Sequence, residues 1–160
     1  MPSAAGPASR VLAALIAGAA MTGTAGAAPP SGDACSLLTT AQVSAALGVP
    51  VGEGTYITPT FKKTCTWTAT TNGGGTVTLN LQSIDQYEGG RKLASYGRSV
   101  SSTSVAGIGD DAYYFSTDKL VGLVVKKGDI AFKVAVYAHL PLDRQQAVEK
   151  ALALQVAALL

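Results

Sequence analysis

The chain has 160 residues, with 12 basic and 10 acidic side chains and a formal net charge of +2. So balanced a charge argues against a nucleic-acid-binding surface and against strong attraction to a membrane. The length suits one domain with its own hydrophobic core.

Residues 1–27 have the layout of a cleaved signal peptide. One basic residue, Arg10, precedes an apolar run over 11–21, and small residues at 25–27 suit signal peptidase. A transmembrane anchor needs roughly 20 apolar residues, about twice the length of this run. We therefore predict a protein that is secreted, extracellular or periplasmic, with no transmembrane segment after cleavage. A flexible leader over 28–34 would precede a single α+β domain over 35–160.

The two cysteines, Cys35 and Cys65, are the only ones in the chain. In an oxidising compartment two cysteines in a small domain usually pair, and we predict that these two form a disulfide. Acylation of Cys35 is the alternative, but the residues before it do not form a lipobox. A zinc site would need two further ligands, and the single histidine, His139, is distant in the sequence. We expect neither a metal nor a cofactor.

The first half of the mature chain predicts a helix followed by a hairpin. Thr39 and Gln42 have the spacing of a capping box, and Gly48 supplies a stop, which predicts a helix over 40–47. The segment 50–59 predicts a loop that could include an edge strand. Alternating residues over 64–71 and 77–82 flank a glycine-rich turn and predict a hairpin with one buried and one solvated face. Trp67, on the buried face, should lie beside the disulfide.

The second half predicts a helix, a meander and a final helix. Asp85 and Glu88 could cap a helix that ends near Tyr96, although Gly89 and Gly90 would cost it roughly 2 kcal/mol. A serine-rich stretch over 99–104 predicts a loop or edge strand. The remaining elements are three strands at about 112–116, 120–126 and 130–138 and a helix at about 142–159, with Val148, Leu152, Val156 and Leu159 on its apolar stripe.

This order of elements predicts an α+β fold. We expect an antiparallel sheet of about five strands, with the N- and C-terminal helices packed on one face.

Asp110 and Asp111 are the residues with the clearest chemical potential. They follow Gly107-Ile108-Gly109, and paired carboxylates can bind calcium or share a proton. A Gly-x-Gly turn can also cradle a phosphate, but two adjacent acids would repel the anion. A tight glycine turn with solvated acids is the favoured interpretation. No G-x-S-x-G motif is present, and His139 lies at the end of a predicted strand, so we assign no catalytic residue.

Adjacent tyrosines give a second candidate surface. Strand alternation sends Tyr113 to one face of the sheet and Tyr114 to the other, so at least one of the two should face outward. We therefore name a candidate surface for binding a ligand or partner, which consists of Tyr114, Tyr113, Asp110 and Asp111.

The chain also carries a set of motifs in a characteristic order. Cys35-Ser36-Leu37-Leu38-Thr39 opens the first helix, Cys65-Thr66-Trp67 follows, and Gly107-Ile108-Gly109-Asp110-Asp111 precedes the last strands. In this order the chain resembles a family of unknown function among bacterial, mainly actinobacterial, secreted proteins and lipoproteins. Many members of that family carry a lipobox, which this chain lacks, and the resemblance implies no activity and no catalytic residues.

The sequence thus predicts a non-enzymatic domain, secreted or associated with the envelope, that binds a protein or a small ligand of unknown identity. Two alternatives stay open. One is a hydrolase-like enzyme that uses Asp110 or Asp111, and the other is a purely structural envelope component.

Overall fold

The computed structural model describes residues 32–96, 99–118 and 120–160. The predicted signal peptide and residues 28–31 of the predicted leader lie outside this part of the chain. No helix of the described ranges is long and apolar enough to cross a membrane.

Within these ranges, three helices and seven strands follow a short 3-10 turn, Ala34–Ser36. The helices are α1 (Thr40–Leu47), α2 (Ile84–Tyr96) and α3 (Leu142–Ala157). The strands are β1 (Thr55–Tyr56), β2 (Thr64–Thr68), β3 (Thr76–Gln82), β4 (Val100–Ser104), β5 (Asp111–Thr117), β6 (Val121–Lys127) and β7 (Ile130–Tyr137).

All seven strands join one antiparallel sheet in the order β1-β2-β3-β7-β6-β5-β4. The predicted α+β class and antiparallel sheet are confirmed, but the prediction of about five strands is wrong. The two additional strands are β1 and β4, which form the outer edges. Edge strands bury little surface, and β4 reads Val-Ser-Ser-Thr-Ser, so neither carries the apolar alternation from which the inner strands were predicted.

One face of the sheet forms the main core with α1 and α3. Alternate residues of the inner strands point to this face, among them Trp67, Leu79, Phe132, Val134 and Leu123. Helix α3 contributes Val148, Leu152 and Val156, as its predicted stripe required, and α1 contributes Val43 and Leu47. Leu159 lies beyond the end of α3 and is exposed, contrary to its predicted place on that stripe.

Helix α1 begins and ends where its sequence signals predicted. The Thr39 hydroxyl accepts a hydrogen bond from the Gln42 N–H, and the Gln42 side chain accepts one from the Thr39 N–H. Gly48 ends the helix with a φ of 82°, in the left-handed region that suits glycine. A capping box of this kind satisfies N–H groups that the first turn would otherwise leave without partners.

Helix α2 packs on the opposite face of the sheet, over β4 to β7. Its capping residues are Ser83 and Gln86, which bond to each other's backbone N–H, rather than the predicted Asp85 and Glu88. Gly90 faces the sheet, where an added Cβ would lie 2.8 Å from the Tyr113 hydroxyl oxygen. Gly90, which lowers the helix propensity of α2, therefore leaves room for the buried Tyr113.

The predicted disulfide between Cys35 and Cys65 is present, with the two Cα atoms 5.0 Å apart. It ties the 3-10 turn to β2. An added Cβ at Gly54 would lie 2.7 Å from both Cys65 Sγ and Trp67 Nε1, so Trp67 packs beside the disulfide, as predicted.

Candidate binding face

Half of the face that carries α2 has no described helix over it. We call this region the open face and define it by two rows of side chains that run across β2, β3 and β7. The strand registers align Thr68, Thr76 and Tyr137 in the first row and Thr66, Thr78 and Ala135 in the second. Neighbouring strands lie about 4.8 Å apart, so the threonine side chains of each row lie side by side across the strands.

Exposed and polar groups make up most of these rows and also lie beside them. Tyr137 leaves 47% of its surface exposed and the threonines are half-buried or exposed, whereas Ala135 of the second row is fully buried between its neighbours. Beside the second row, Asn80 Nδ2 donates to Thr64 Oγ1 at 2.6 Å, and Lys133 lies opposite Asn80 on β7. The open face thus combines hydroxyl and amide groups, one aromatic ring and one cation.

A groove runs between α2 and the open face. We call it the α2 groove; its lining includes Gln86, Gly90 and Leu93 of α2 and Phe115, Val124 and Lys133 of the sheet. Its volume is about 140 Å³, below the 300–1,000 Å³ typical of sites for drug-sized ligands. The α2 groove can therefore hold one ring or one side chain, and a larger ligand would extend onto the open face.

Asp111, a residue of the predicted surface, holds α2 to the sheet. Its carboxylate accepts hydrogen bonds from both terminal nitrogens of Arg91, at 2.7 and 3.2 Å. Burial alone would raise the pKa of Asp111, but the Tyr87 hydroxyl and the Arg91 guanidinium together hold that pKa below its usual value. The Arg91 guanidinium also lies 5.0 Å from the centre of the Tyr113 ring.

Tyr113 is buried beneath α2 rather than exposed. Its ring meets that of Tyr87 edge to face at a centroid distance of 5.2 Å, and its hydroxyl donates to the Tyr87 carbonyl at 2.9 Å. Burial raises the pKa of Tyr113. With Val124 and Ala131, these two tyrosines form a small second core between α2 and the sheet.

Asp110 points to a different element from Asp111. Its carboxylate accepts a hydrogen bond from the Gly128 N–H at 2.7 Å, in the turn between β6 and β7. The glycine turn before it is held by Ile108, which is 2% exposed, while Gly107 and Gly109 adopt positive φ angles of 82° and 58°. Among the described residues no group of three or more His, Cys, Asp and Glu side chains could hold a metal ion.

Tyr114 lies under α3 and not on an open face. Its hydroxyl donates to the Gln146 carbonyl of α3 at 2.9 Å. The expectation that Tyr113 or Tyr114 faces outward is therefore wrong, and the exposed tyrosine of the sheet is Tyr137 of β7 instead. His139 is exposed beyond the end of β7, where the sequence placed it.

Glu149 of α3 is an acidic residue whose burial the sequence did not predict. It is fully buried, and its Oε1 accepts a hydrogen bond from the Val136 N–H at 3.1 Å, while Gln145 Nε2 donates to the Val136 carbonyl at 2.6 Å. Oε2 has no hydrogen-bond partner among the described residues. Burial raises the pKa of Glu149 to about 8, although the Val136 N–H, Gln145 and Lys133 oppose the shift.

A larger hollow, about 330 Å³ in volume, opens at the end of the sheet between Leu37, Leu81, Ile130 and Leu160. Gly32, the first described residue, forms part of its wall. The residues before Gly32 lie outside the described ranges, so the wall of this hollow is described only in part. We therefore assign no ligand to it and regard the open face as the better-defined site.

A scan against protein-family models, a search of curated proteins and a search of solved structures each found no match to this chain. The resemblance to the secreted and lipoprotein family therefore remains an expectation from the motifs alone.

The open face could have been found in part from the sequence. The alternation over 64–71 and 77–82 already places threonines on the solvated side of the hairpin, and Tyr137 and Lys133 alternate with the core residues of β7. The missing information was the pairing of β3 with β7, which brings Tyr137 beside Thr76.

Proposed function

We propose that this protein is a non-enzymatic binding domain, secreted or held at the cell envelope, that binds a ligand or protein partner on the open face. The observation that carries this proposal is the uneven cover of the sheet. One face packs against α1 and α3, whereas α2 covers only the β4 to β7 side of the other face.

The chemistry of the open face suggests the class of ligand. Thr66, Thr76 and Thr78 offer hydroxyl groups that donate and accept hydrogen bonds, and Tyr137 adds a flat ring. Lys133 is the one cation that the described residues place beside it. This combination suits a hydroxyl-rich, uncharged or weakly anionic ligand such as an oligosaccharide, with one ring in the α2 groove.

The partners of the two acids favour binding over catalysis. Asp111 is engaged with Arg91 and Asp110 with the Gly128 N–H, so the two carboxylates serve separate elements of the fold. A shared proton or a common metal would require both carboxylates to face one site. The cysteine pair and the resemblance of the motifs support an envelope or extracellular location.

The proposal is tested by titrating the isotope-labelled chain with soluble oligosaccharides from bacterial envelopes and following backbone amide shifts. We expect the largest shifts in β2, β3 and the end of β7. Thr78→Lys should weaken binding at least tenfold, because it places a long charged side chain in the centre of the open face. Ala151→Lys adds the same charge on the exposed side of α3 and should leave binding unchanged.

Further experiments distinguish partner binding from catalysis. If no oligosaccharide shifts an amide, and a pull-down from envelope extract recovers no partner that Thr78→Lys releases, the binding proposal fails. A hydrolytic activity that Asp111→Asn abolishes without unfolding the protein would support the enzyme alternative instead.

A further inference from the structure

The two edges of the sheet differ in how they are protected. β1 contains two residues, and the loop after it carries Pro59, Lys62 and Lys63. β4 contains five residues without a charge or a proline, and its last four residues are exposed. Natural proteins usually protect an edge by shortness, charge, proline or a covering helix or loop, because an unpaired edge is a template for another strand. Helix α2 packs against β4, but the last four residues of β4 stay exposed beside it. β1 follows this rule and β4 does not.

The pattern of hydrogen bonds between β4 and β5 shows which backbone groups of β4 point away from β5. The Val105 N–H donates to the Ala112 carbonyl at 2.9 Å, next to the register that pairs Ser104 with Tyr113. In an antiparallel ladder the residues that exchange both hydrogen bonds with the neighbouring strand recur at every second position. Thr103 and Ser101 therefore bond to β5, and the N–H and C=O groups of Val100, Ser102 and Ser104 point outward.

These three outward residues are symmetric about Ser102. We propose that β4 pairs antiparallel with β4 of a second copy of this chain, with a two-fold axis at Ser102. Ser102 then lies opposite Ser102 of the partner subunit, and Val100 lies opposite Ser104 of the partner subunit. Each of these pairs exchanges two backbone hydrogen bonds, and the sheets of both copies become continuous.

The composition of β4 favours a second copy over a foreign peptide. A foreign strand gains affinity from main-chain bonds and specificity from pockets for its alternate side chains. Apart from Val100, β4 offers only serine and threonine side chains, which are small enough to face their own copies and carry no charge that would repel them. Tyr96, 75% exposed, ends α2 four residues before β4 and adds apolar surface near the edge.

The dimer is tested by sedimentation of the purified chain over a range of concentrations. A single pair of short strands makes a small interface, so we expect a dissociation constant of about 10–100 µM. Ser102→Lys places two like charges face to face on the axis and should weaken the dimer at least tenfold. Ser102→Ala keeps the N–H group and the small size and should dimerise as the natural chain does. Circular dichroism checks that both variants fold.

A charge-reversal experiment separates this arrangement from any other. Ser102→Glu alone should weaken the dimer as Ser102→Lys does, but a mixture of the Ser102→Lys and Ser102→Glu proteins should associate, because opposite charges then meet at the axis. Only an interface in which position 102 faces itself gives this result. A natural chain that stays monomeric at about 1 mM, or a mixture that does not associate, overturns the proposal. Loss of dimer in the Thr78→Lys variant would also overturn it, because that residue lies on the open face.

Discussion

The two faces of the sheet are stabilised in different ways. The face under α1 and α3 is almost wholly apolar and is tied at one end by the Cys35–Cys65 disulfide. The α2 face has only a small core, in which two tyrosines pack beside the Arg91–Asp111 ion pair, and the rest of it is polar. The first face has the area to supply most of the stability, and the second leaves polar surface free for another molecule.

Removal of the disulfide should have the largest effect and should act on the first face. Replacing Cys35 and Cys65 by alanine together should lower the free energy of unfolding by about 3–4 kcal/mol, since a loop of 30 residues is no longer closed in the unfolded chain. Urea denaturation followed by tryptophan fluorescence measures the change. Ligand binding on the open face should persist wherever the variant is folded, and a loss of stability below about 1 kcal/mol would contradict the expectation.

Glu149 gives the same face a dependence on pH. The folded-state pKa of about 8 lies above the value of 4.5 expected for an unperturbed glutamate. The folded protein therefore binds the proton more tightly, and the free energy of unfolding should fall as pH rises from about 4.5 to 8.

Glu149→Gln should abolish this dependence. The amide keeps an acceptor for the Val136 N–H but cannot ionise, so the variant should be more stable than the natural chain by at least about 2 kcal/mol at pH 8.5 and similar to it at pH 4.5. Denaturation curves at the two pH values give the comparison. Glu88→Gln, the same change at an exposed position of α2, should show no such difference.

Two adjacent glycines test the packing of α2 on the second face. Gly90→Ala should lower the free energy of unfolding by about 1–3 kcal/mol, because the new Cβ would lie 2.8 Å from the Tyr113 hydroxyl. Gly89→Ala meets no atom within 4 Å and should raise it by about 0.5–1 kcal/mol through better helix propensity. Thermal melts of the two variants should move in opposite directions, and equal shifts would show that α2 does not press on Tyr113.

The Arg91–Asp111 pair should have the smallest effect on stability. Both side chains are about two-fifths exposed, so solvent screens the pair and Asp111→Asn should cost no more than about 1 kcal/mol. Because the pKa of Asp111 is lowered in the folded state, this contribution should disappear as pH falls below the ordinary carboxyl range.

Asp110→Asn is the matched control for that variant. It removes the same charge but keeps an acceptor oxygen for the Gly128 N–H, so it should cost less than Asp111→Asn. Adding 1 M salt should reduce the cost of Asp111→Asn. A larger cost for Asp110→Asn would show that the turn between β6 and β7, and not α2, depends on this acidic pair.

Local signals in the sequence accounted for much of the fold. The capping box and Gly48 placed α1 to the residue, and apolar alternation placed β3 and the three strands of the C-terminal meander within a residue or two. These features depend on near neighbours in the chain. The disulfide followed from the cysteine count and the predicted compartment.

The features that depend on distant parts of the chain were missed. No local pattern shows that β3 pairs with β7, or that α3 covers Tyr114 while α2 packs on the opposite face. Glu149 had a usable signal, since it lies three residues before Leu152 and seven before Val156 on the buried stripe of α3. A charged residue at such a position is normally assigned to solvent, and only the Val136 N–H explains its place in the core.

The pairing of β3 with β7 has a consequence for how the chain folds. Both cysteines, β2 and β3 lie before residue 83, whereas β7 begins at Ile130 and completes the centre of the sheet. A chain made from its N-terminus can therefore form the hairpin and bring its two cysteines together before the central strand exists. The β3–β7 ladder closes a loop of roughly 50 residues, so we expect it to set the folding rate. Until it forms, the inner edge of β3 is open to pairing with another chain.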